Sequence, residues 1–413
     1  MRHYHSQMPE IAVAGHICLD ILPAFSGEAR IIPGKLLALE PAVFSTGGAV
    51  SNTGLALQRL GFEPRLVGKV GDDRIGRTIL DILKEYGEEL AASMIVASGE
   101  HTSYTIVVSP PGQDRCFWHY EGTNASFGEE DIPEDALNGV RLFHLGYPTL
   151  MSGLYRNGGE GLERLLRRVK SRGITVSLDL AEPDPASEAA RQDWREMFTR
   201  VLPHVDIFLP SLEELLFLLR RETFYRMKEK YGDNLLPHAD GELLADLGRE
   251  MLEMGVAIAG LKLGDKGIYL RTTEKREQLV RMGGAAPAGL EEWVDRELLA
   301  PCFQVKVQGA TGAGDCTIAG FLGSLLEGLS PEAALLHAVA VGACNVEQPD
   351  AVSGIPAWSA VQRRLEAGAG WGQLQTLKTL IGWSYRESDR LFHSSRDMLR
   401  THQEGEDPLY EAK

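Results

Sequence analysis

The sequence predicts an α/β fold: a doubly wound, mostly parallel sheet flanked by helices, accompanied by a small second β-sheet. Two observations carry this. Short apolar or β-branched runs alternate with amphipathic stretches along most of the 413 residues, the order expected of parallel strands joined by helical crossovers. Two further segments, 21–44 and 102–127, look like strands but have no helix between them. They read either as a separate lid sheet or as an edge extension of the main one.

Taken in order, the main-sheet strands are expected at residues 11–14, 65–70, 141–145, 174–178, 205–209, 257–263 and 303–307. Helical patterns at 161–171, 191–201 and 242–254 separate several of them. Within the second lid segment, the turn Pro110-Pro111-Gly112 joins 102–109 to 115–120 as a hairpin. Residues 220–241 are charged and polar, an inserted helix and loop. Residues 272–300 carry a loop rich in Gly and Ala before an acidic helical piece. After Pro356 no strand period is visible, and 358–413 read as a C-terminal helical extension. In open α/β sheets ligands bind beyond the carboxyl ends of the strands, which directs attention to the strand-to-helix loops.

Composition narrows the function. Lys and Arg number 42 against 58 Asp and Glu, a formal charge of −16, which argues against a nucleic-acid binder. Five cysteines, with no CxxC pair, disfavour both a disulfide framework and a zinc knuckle; free thiols in a reducing compartment are the expectation. The first residues lack the apolar core of a secretory signal and no long charge-free apolar run follows, so cytoplasmic residence away from membranes is expected. His3 and His5 read as a weak metal pair or a frayed terminus.

The chemistry concentrates in residues 304–328. A strand pattern ends near Val307, and then Gly309, Gly312 and Gly314 crowd a turn that leads into an apolar helix with Asp315 in its first turn. Gly312, Ala313 and Gly314 therefore present backbone amides at a helix N-terminus, where the unsatisfied N–H groups and the helix dipole both favour an anion. A carboxylate beside such a pocket can take the proton of an attacking hydroxyl during phosphoryl transfer. It can equally be an ordinary helix-capping Asp.

The run Gly309-Ala310-Thr311-Gly312-Ala313-Gly314-Asp315, continued by Cys316-Thr317-Ile318-Ala319-Gly320-Phe321, resembles the C-terminal signature of the ribokinase/PfkB carbohydrate kinases. A second block resembles that family's N-terminal signature: Gly47-Gly48-Ala49-Val50-Ser51-Asn52, Leu60-Gly61, then Val67-Gly68-Lys69-Val70-Gly71-Asp72-Asp73. No P-loop motif is present. The resemblance covers about 10–357, with insertions at 220–241 and 272–300, and implies a ribokinase-like kinase domain with a lid from 21–44 and 102–127.

It also implies Mg-ATP-dependent phosphorylation of a hydroxyl on a sugar or sugar-like molecule. Asp315 would be the base, and the Gly312, Ala313 and Gly314 amides the anion hole. Asp20, Gly47, Gly48 and Asn52 would hold the acceptor. Ser211, Glu214, Lys262, Gly264, Gly267, His337 and Asn345 would line the nucleotide side, with Glu214 holding Mg²⁺ through water. Three positions depart from the family: Ser211 for Asn, Lys262 for Thr, and Gly309 where an Asp often supports potassium activation. A nucleoside acceptor, with Phe117, Trp118 and Tyr120 available for stacking, stays open. So does a non-catalytic sugar or nucleotide sensor. The exposed edge of a lid sheet would invite a homodimer.

Overall fold

The computed structural model describes residues 10–398, apart from 26–32, 109–115, 368–370, 374–375 and 378. The first half of the chain runs β1 (Ile11–Gly15), β2 (Cys18–Ala24), β3 (Glu40–Gly47), α1 (Ala49–Leu60), β4 (Pro64–Val67), β5 (Lys69–Gly71), α2 (Arg74–Tyr86), β6 (Ile95–Ala97), β7 (Tyr104–Val108), β8 (Cys116–Tyr120), β9 (Leu142–Gly146), α3 (Ser152–Ser171), β10 (Thr175–Asp179) and α4 (Trp194–Val201). The second half runs β11 (Ile207–Phe208), α5 (Leu212–Leu219), α6 (Arg221–Tyr231), α7 (Gly241–Glu253), β12 (Ile258–Lys262), β13 (Ile268–Thr272), α8 (Arg276–Val280), α9 (Leu290–Trp293), β14 (Glu297–Ala300), α10 (Ala313–Leu326), α11 (Pro331–Val346), α12 (Trp358–Glu366), β15 (Trp383–Arg386) and β16 (Leu391–Ser394).

The main sheet has ten strands in the order β15-β16-β14-β13-β12-β11-β10-β9-β1-β4. From β4 to β12 every pairing is parallel; from β12 to β15 every pairing is antiparallel. The parallel strands β1, β9 and β10 are buried throughout, as strands covered on both faces must be. One apolar layer packs residues of α1, α2, α10 and α11 against the sheet, and a second layer, from α3, α4, α5 and α7, covers the opposite face.

Strands β2, β3, β7 and β8 form a separate four-stranded sheet in the order β3-β2-β7-β8, so the lid is a sheet of its own and not an edge extension. The predicted hairpin is the antiparallel pair β7 and β8; its Pro-Pro-Gly turn lies outside the described residues.

Several expectations need correction. The run at 65–70 is split, because β4 joins the main sheet while β5 pairs with β6 in a small third one. Residues 303–307 form no strand; Phe303 makes one isolated bridge to Gln373, and the strand of that region is β14, within the segment expected to be helical. The C-terminal extension is not purely helical. After α12 it returns as β16, which pairs with β14, and β15, which pairs with β16. A buried cluster fastens it: Asp397 accepts from Arg296 Nε at 2.7 Å, and Asp397 and Asp389 flank the fully buried His393 at 2.6 and 3.0 Å. Among the described residues no helix is long and apolar enough to cross a membrane.

Candidate active site

Strand order reverses between β1 and β9, since β4 lies on one side of β1 and all later strands on the other. A sheet of this kind opens a crevice at such a point, beyond the carboxyl ends of the strands. Here the two strands end in glycines packed so closely that a Cβ on Gly15 would lie 2.4 Å from the carbonyl oxygen of Gly146. The chain leaves the crevice through His16 on one side and Tyr147 on the other, and Tyr147 holds a left-handed backbone (φ 64°, ψ 42°).

Across the crevice stands α10. Gly312 is its N-cap with φ 73°, a conformation that costs an L-residue strain and glycine none. The Ala313 amide reaches back to the Ala310 carbonyl over a long 3.4 Å, so an anion can outcompete that bond. Asp315 follows in the first turn, 3% exposed. Three elements converge on its carboxylate: Asn52 of α1 donates Nδ2 to Oδ2 at 3.0 Å, Tyr147 donates its hydroxyl at 2.8 Å to both oxygens, and Thr53 reaches Oδ1 at 3.4 Å. Burial raises the Asp315 pKa from the ordinary carboxylate value; Lys262 and the three donors oppose that shift without cancelling it. A buried carboxylate with a raised pKa is a stronger base than one in water.

Lys262, at the end of β12, is the cation of the site. Its ammonium sits 2.5 Å from Asp179, at the end of β10, and a Cβ on Gly314 would lie 3.7 Å from Nζ, so the lysine overlies the N-terminus of α10. Burial would strip its proton, but Asp179, Glu214 and Asp315 outweigh burial and keep it charged. Three carboxylates thus share one ammonium. The second oxygen of Asp179 is buried without a hydrogen-bond partner. An orphaned carboxylate oxygen in an over-negative pocket fits a hydrated divalent cation.

The lid closes the crevice from the other side. Register places Ser45, Asp20, Thr105 and His119 in one row across its four strands, and Phe44, Ile21, Ile106 and Trp118 in the next. Neighbouring rows face opposite ways. The first row, with Cys18, looks toward His16: Cys18 Sγ lies 3.3 Å from Asp20 Oδ1, and His119 Nε2 lies 3.4 Å from His16 Nε2. Burial lifts the Asp20 carboxyl to about 6, against the pull of Cys18 and Thr105. Burial, helped by the facing His119, drops His16 to about 3.

Most of the residues singled out in the sequence meet here. Gly312, Ala313, Gly314 and Asp315 open α10, and Asn52 binds Asp315 directly. Asp20 lies on the lid sheet itself; a Cβ on Gly47 would fall 2.3 Å from its carboxylate, and one on Gly48 would fall 2.5 Å from His16 Nδ1. Ser211 caps α5, where its amide binds Glu214 Oε2 at 2.7 Å in a reciprocal capping box, so Glu214 serves the helix end as well as the pocket. Ser211 also bridges to Lys262. Gly264 and Gly267 bound the loop from β12 to β13. Asn345 braces the glycine turn by donating to Thr311 O at 3.1 Å and Ala351 O at 2.5 Å. His337 is not drawn into this group: its ring stacks on Trp358 at 4.6 Å and its Nδ1 meets the Ala333 carbonyl.

Sequence reasoning missed Tyr147, Asp179, Thr53, His16 and His119. The first two had a usable signal, because each stands at or just beyond the end of a predicted parallel strand.

Comparison with known proteins agrees with this architecture. Residues 8–358 match the family described as pfkB family carbohydrate kinase. A probable chloroplastic fructokinase of Arabidopsis thaliana is 24% identical over 369 residues, covering 87% of this chain and 83% of that protein. The 2-dehydro-3-deoxygluconokinase of Bacillus subtilis is 24% identical over 324 residues, 77% of this chain and 86% of that one. Among solved structures, Arabidopsis thaliana ribokinase complexed with ribose and ATP superposes with a TM-score of 0.64 at 19% identity, covering 87% of this chain and 99% of that one. A Xylella fastidiosa fructokinase with bound ATP superposes with a TM-score of 0.64 at 18% identity, covering 88% and 100%.

Proposed function

The chain belongs to the pfkB family and is a carbohydrate kinase, and from that premise we propose that it transfers the γ-phosphoryl group of ATP to a hydroxyl of a sugar or sugar-like acceptor held in the crevice between α10 and the lid. The observation that carries the reading is the convergence of Asn52, Thr53 and Tyr147 on Asp315 at the N-terminus of α10. Asp315 takes the proton of the attacking hydroxyl, while the Gly312–Gly314 turn and the Lys262 ammonium receive the charge of the moving phosphoryl group. Asp20, the Gly47-Gly48 turn and Asn52 hold the acceptor, whose hydroxyl displaces the Tyr147 donor from Asp315. The nucleotide lies toward Ser211, Gly264, Gly267 and Asn345.

Magnesium, when bound, neutralises phosphate charge; Glu214 and the orphaned oxygen of Asp179 are the groups that would hold its water shell. Gly309 stands where the family resemblance implies an Asp, and a Cβ there would lie 2.7 Å from the Pro349 carbonyl oxygen. The proposed reaction therefore has no carboxylate at that point for a monovalent cation.

A sugar is favoured over a nucleoside by the lid. Its row of Ser45, Asp20, Thr105 and His119 is polar, and Trp118, with Tyr120 by the same alternation, faces the other way; only Phe117 of the three rings shares the face of His119. A thermal-shift panel of sugars and nucleosides with a non-hydrolysable ATP analogue separates the two. The test of the reaction is Asp315→Asn: ATP-dependent turnover should drop by about 10²–10⁴-fold with acceptor binding retained. Turnover near wild type would sink the assignment. A wild-type chain that consumes no ATP on any acceptor in the panel would favour the sensor reading.

A further inference from the structure

His16, Cys18 and His119 bring three metal-ligating side chains together where the lid meets the main sheet. One ligand atom from each lies within 4.8 Å of the other two. The Nε2 atoms of the two histidines are 3.4 Å apart. Two imidazole nitrogens on a tetrahedral zinc, each about 2.0–2.1 Å from the metal, are separated by about 3.4 Å. The pair is already at ligand spacing, and the sulfur needs a movement on the order of 1 Å to complete it.

A second observation points to a ligand. His16 is buried, and its Nδ1 has no hydrogen-bond partner. Its Nε2 faces only the other imidazole, and two neutral rings set nitrogen to nitrogen share at most one proton. A buried imidazole with neither nitrogen firmly engaged is costly; an ion between the rings would engage Nε2 and fix the ring proton on Nδ1. The Thr105 hydroxyl, 3.0 Å from His119 Nδ1, supplies the outer hydrogen bond that orients a ligating histidine. On the far side of the sulfur lies the Asp20 carboxylate, placing negative charge near a bound dication.

We propose that His16, Cys18 and His119 form a three-ligand site for a soft divalent cation of the zinc class, joining lid strands β2 and β8 to the loop after β1 and leaving a fourth position open to the acceptor crevice. As the sulfur–metal bond forms, the Cys18 thiol releases its proton to solvent. The site is distinct from the magnesium position, whose donors are carboxylates of the main sheet and α5. Its existence does not depend on the kinase reading, and the test below uses neither ATP nor acceptor, so its failure leaves that reading standing.

The experiment is a Co²⁺ titration of the full chain after chelator treatment, under a non-thiol reductant. One equivalent should bind and produce a thiolate-to-cobalt charge-transfer band that Zn²⁺ abolishes. Cys18→Ser should remove the band. His119→Ala, on an exposed strand where truncation spares the core, should weaken Zn²⁺ binding at least about tenfold by calorimetry. Ions held by His3 and His5 alone give no thiolate band. Absence of the band, its survival in Cys18→Ser, or unchanged affinity in His119→Ala would overturn the proposal.

Discussion

The Tyr147 hydroxyl lies 2.8 Å from both carboxylate oxygens of Asp315, held there by a left-handed backbone at the end of β9. This single donor steadies the carboxylate and lowers its proton affinity, and it stands where an acceptor hydroxyl must arrive.

Removing that donor by Tyr147→Phe should raise the Asp315 pKa further, because the bond stabilises the ionised form. The base works deprotonated, so the acidic limb of the kcat/KM profile, which reports the free enzyme, should move to higher pH. A hydrogen bond to a charged group contributes about 1.5–3 kcal/mol. A pH–rate profile of the variant identical to the wild type would contradict the role.

Lys262→Met removes the only cation seen over Gly314 among the described residues. Turnover should fall by about 10²–10³-fold, the usual loss for one transition-state donor. Stability should fall by about 3–5 kcal/mol, since Asp179 is left buried and unpaired. Adding Asp179→Asn should restore much of the stability but none of the turnover, which urea melts and steady-state kinetics can separate in a double-mutant cycle.

Asp20 titrates at about 6, and its ionised form is the better acceptor for sugar hydroxyls. The acceptor KM should therefore rise as pH falls below about 6, while the KM for ATP stays level. Asp20→Asn should flatten that dependence.

Burial alone would raise the Asp397 carboxyl, but bonds from His393 and Arg296 more than reverse this and hold it at about 2. The resulting stabilisation is complete above the ordinary carboxylate value of about 3.9 and is lost as pH falls toward the folded one. Asp397→Asn should cost about 1.5–3 kcal/mol at neutral pH by weakening the charged bonds from His393 and Arg296, with Glu332 remaining as the ionic partner of Arg296. The gap between wild type and variant should narrow between about pH 4 and pH 2 in chemical unfolding.

On the outer face of the lid, Phe44, Trp118 and Tyr120 are 55%, 53% and 44% exposed. An apolar row of this kind on a sheet with open edges favours pairing with a second copy. Light scattering at micromolar concentration should give the mass of a dimer, and Trp118→Lys the mass of a monomer.

Much of the fold was legible because its signals are local. Buried parallel strands such as β1 and β9 are continuous apolar runs, and the glycine turn before Asp315 is compact. That Asp315 and the Gly47–Asn52 block share one site was legible through two separate motifs, although the direct bond from Asn52 to Asp315 was not. Tyr147 and Asp179 offered only their place at strand ends and His119 not even that, since each acquires its role through contacts with residues distant in the chain. Residues 303–307 misled because Phe303, Val305 and Val307 alternate with polar residues as a strand would, yet Val307 is exposed and among the described residues no partner strand runs alongside. Strands β15 and β16 were hidden by brevity: four residues each, with Trp383–Arg386 at the sheet edge carrying no apolar alternation strong enough to read.

The late return of the chain to β14 has a consequence for synthesis. Leu298 is paired with Leu270 on one side but meets His393 on the other, so as the polypeptide emerges β14 keeps an open edge until almost the last segment has been made. An edge left waiting is a template for other nascent chains. Translation that stops between α12 and β15 should thus yield not a shortened working enzyme but a product prone to aggregate, its sheet ending in a β14 paired on one side only.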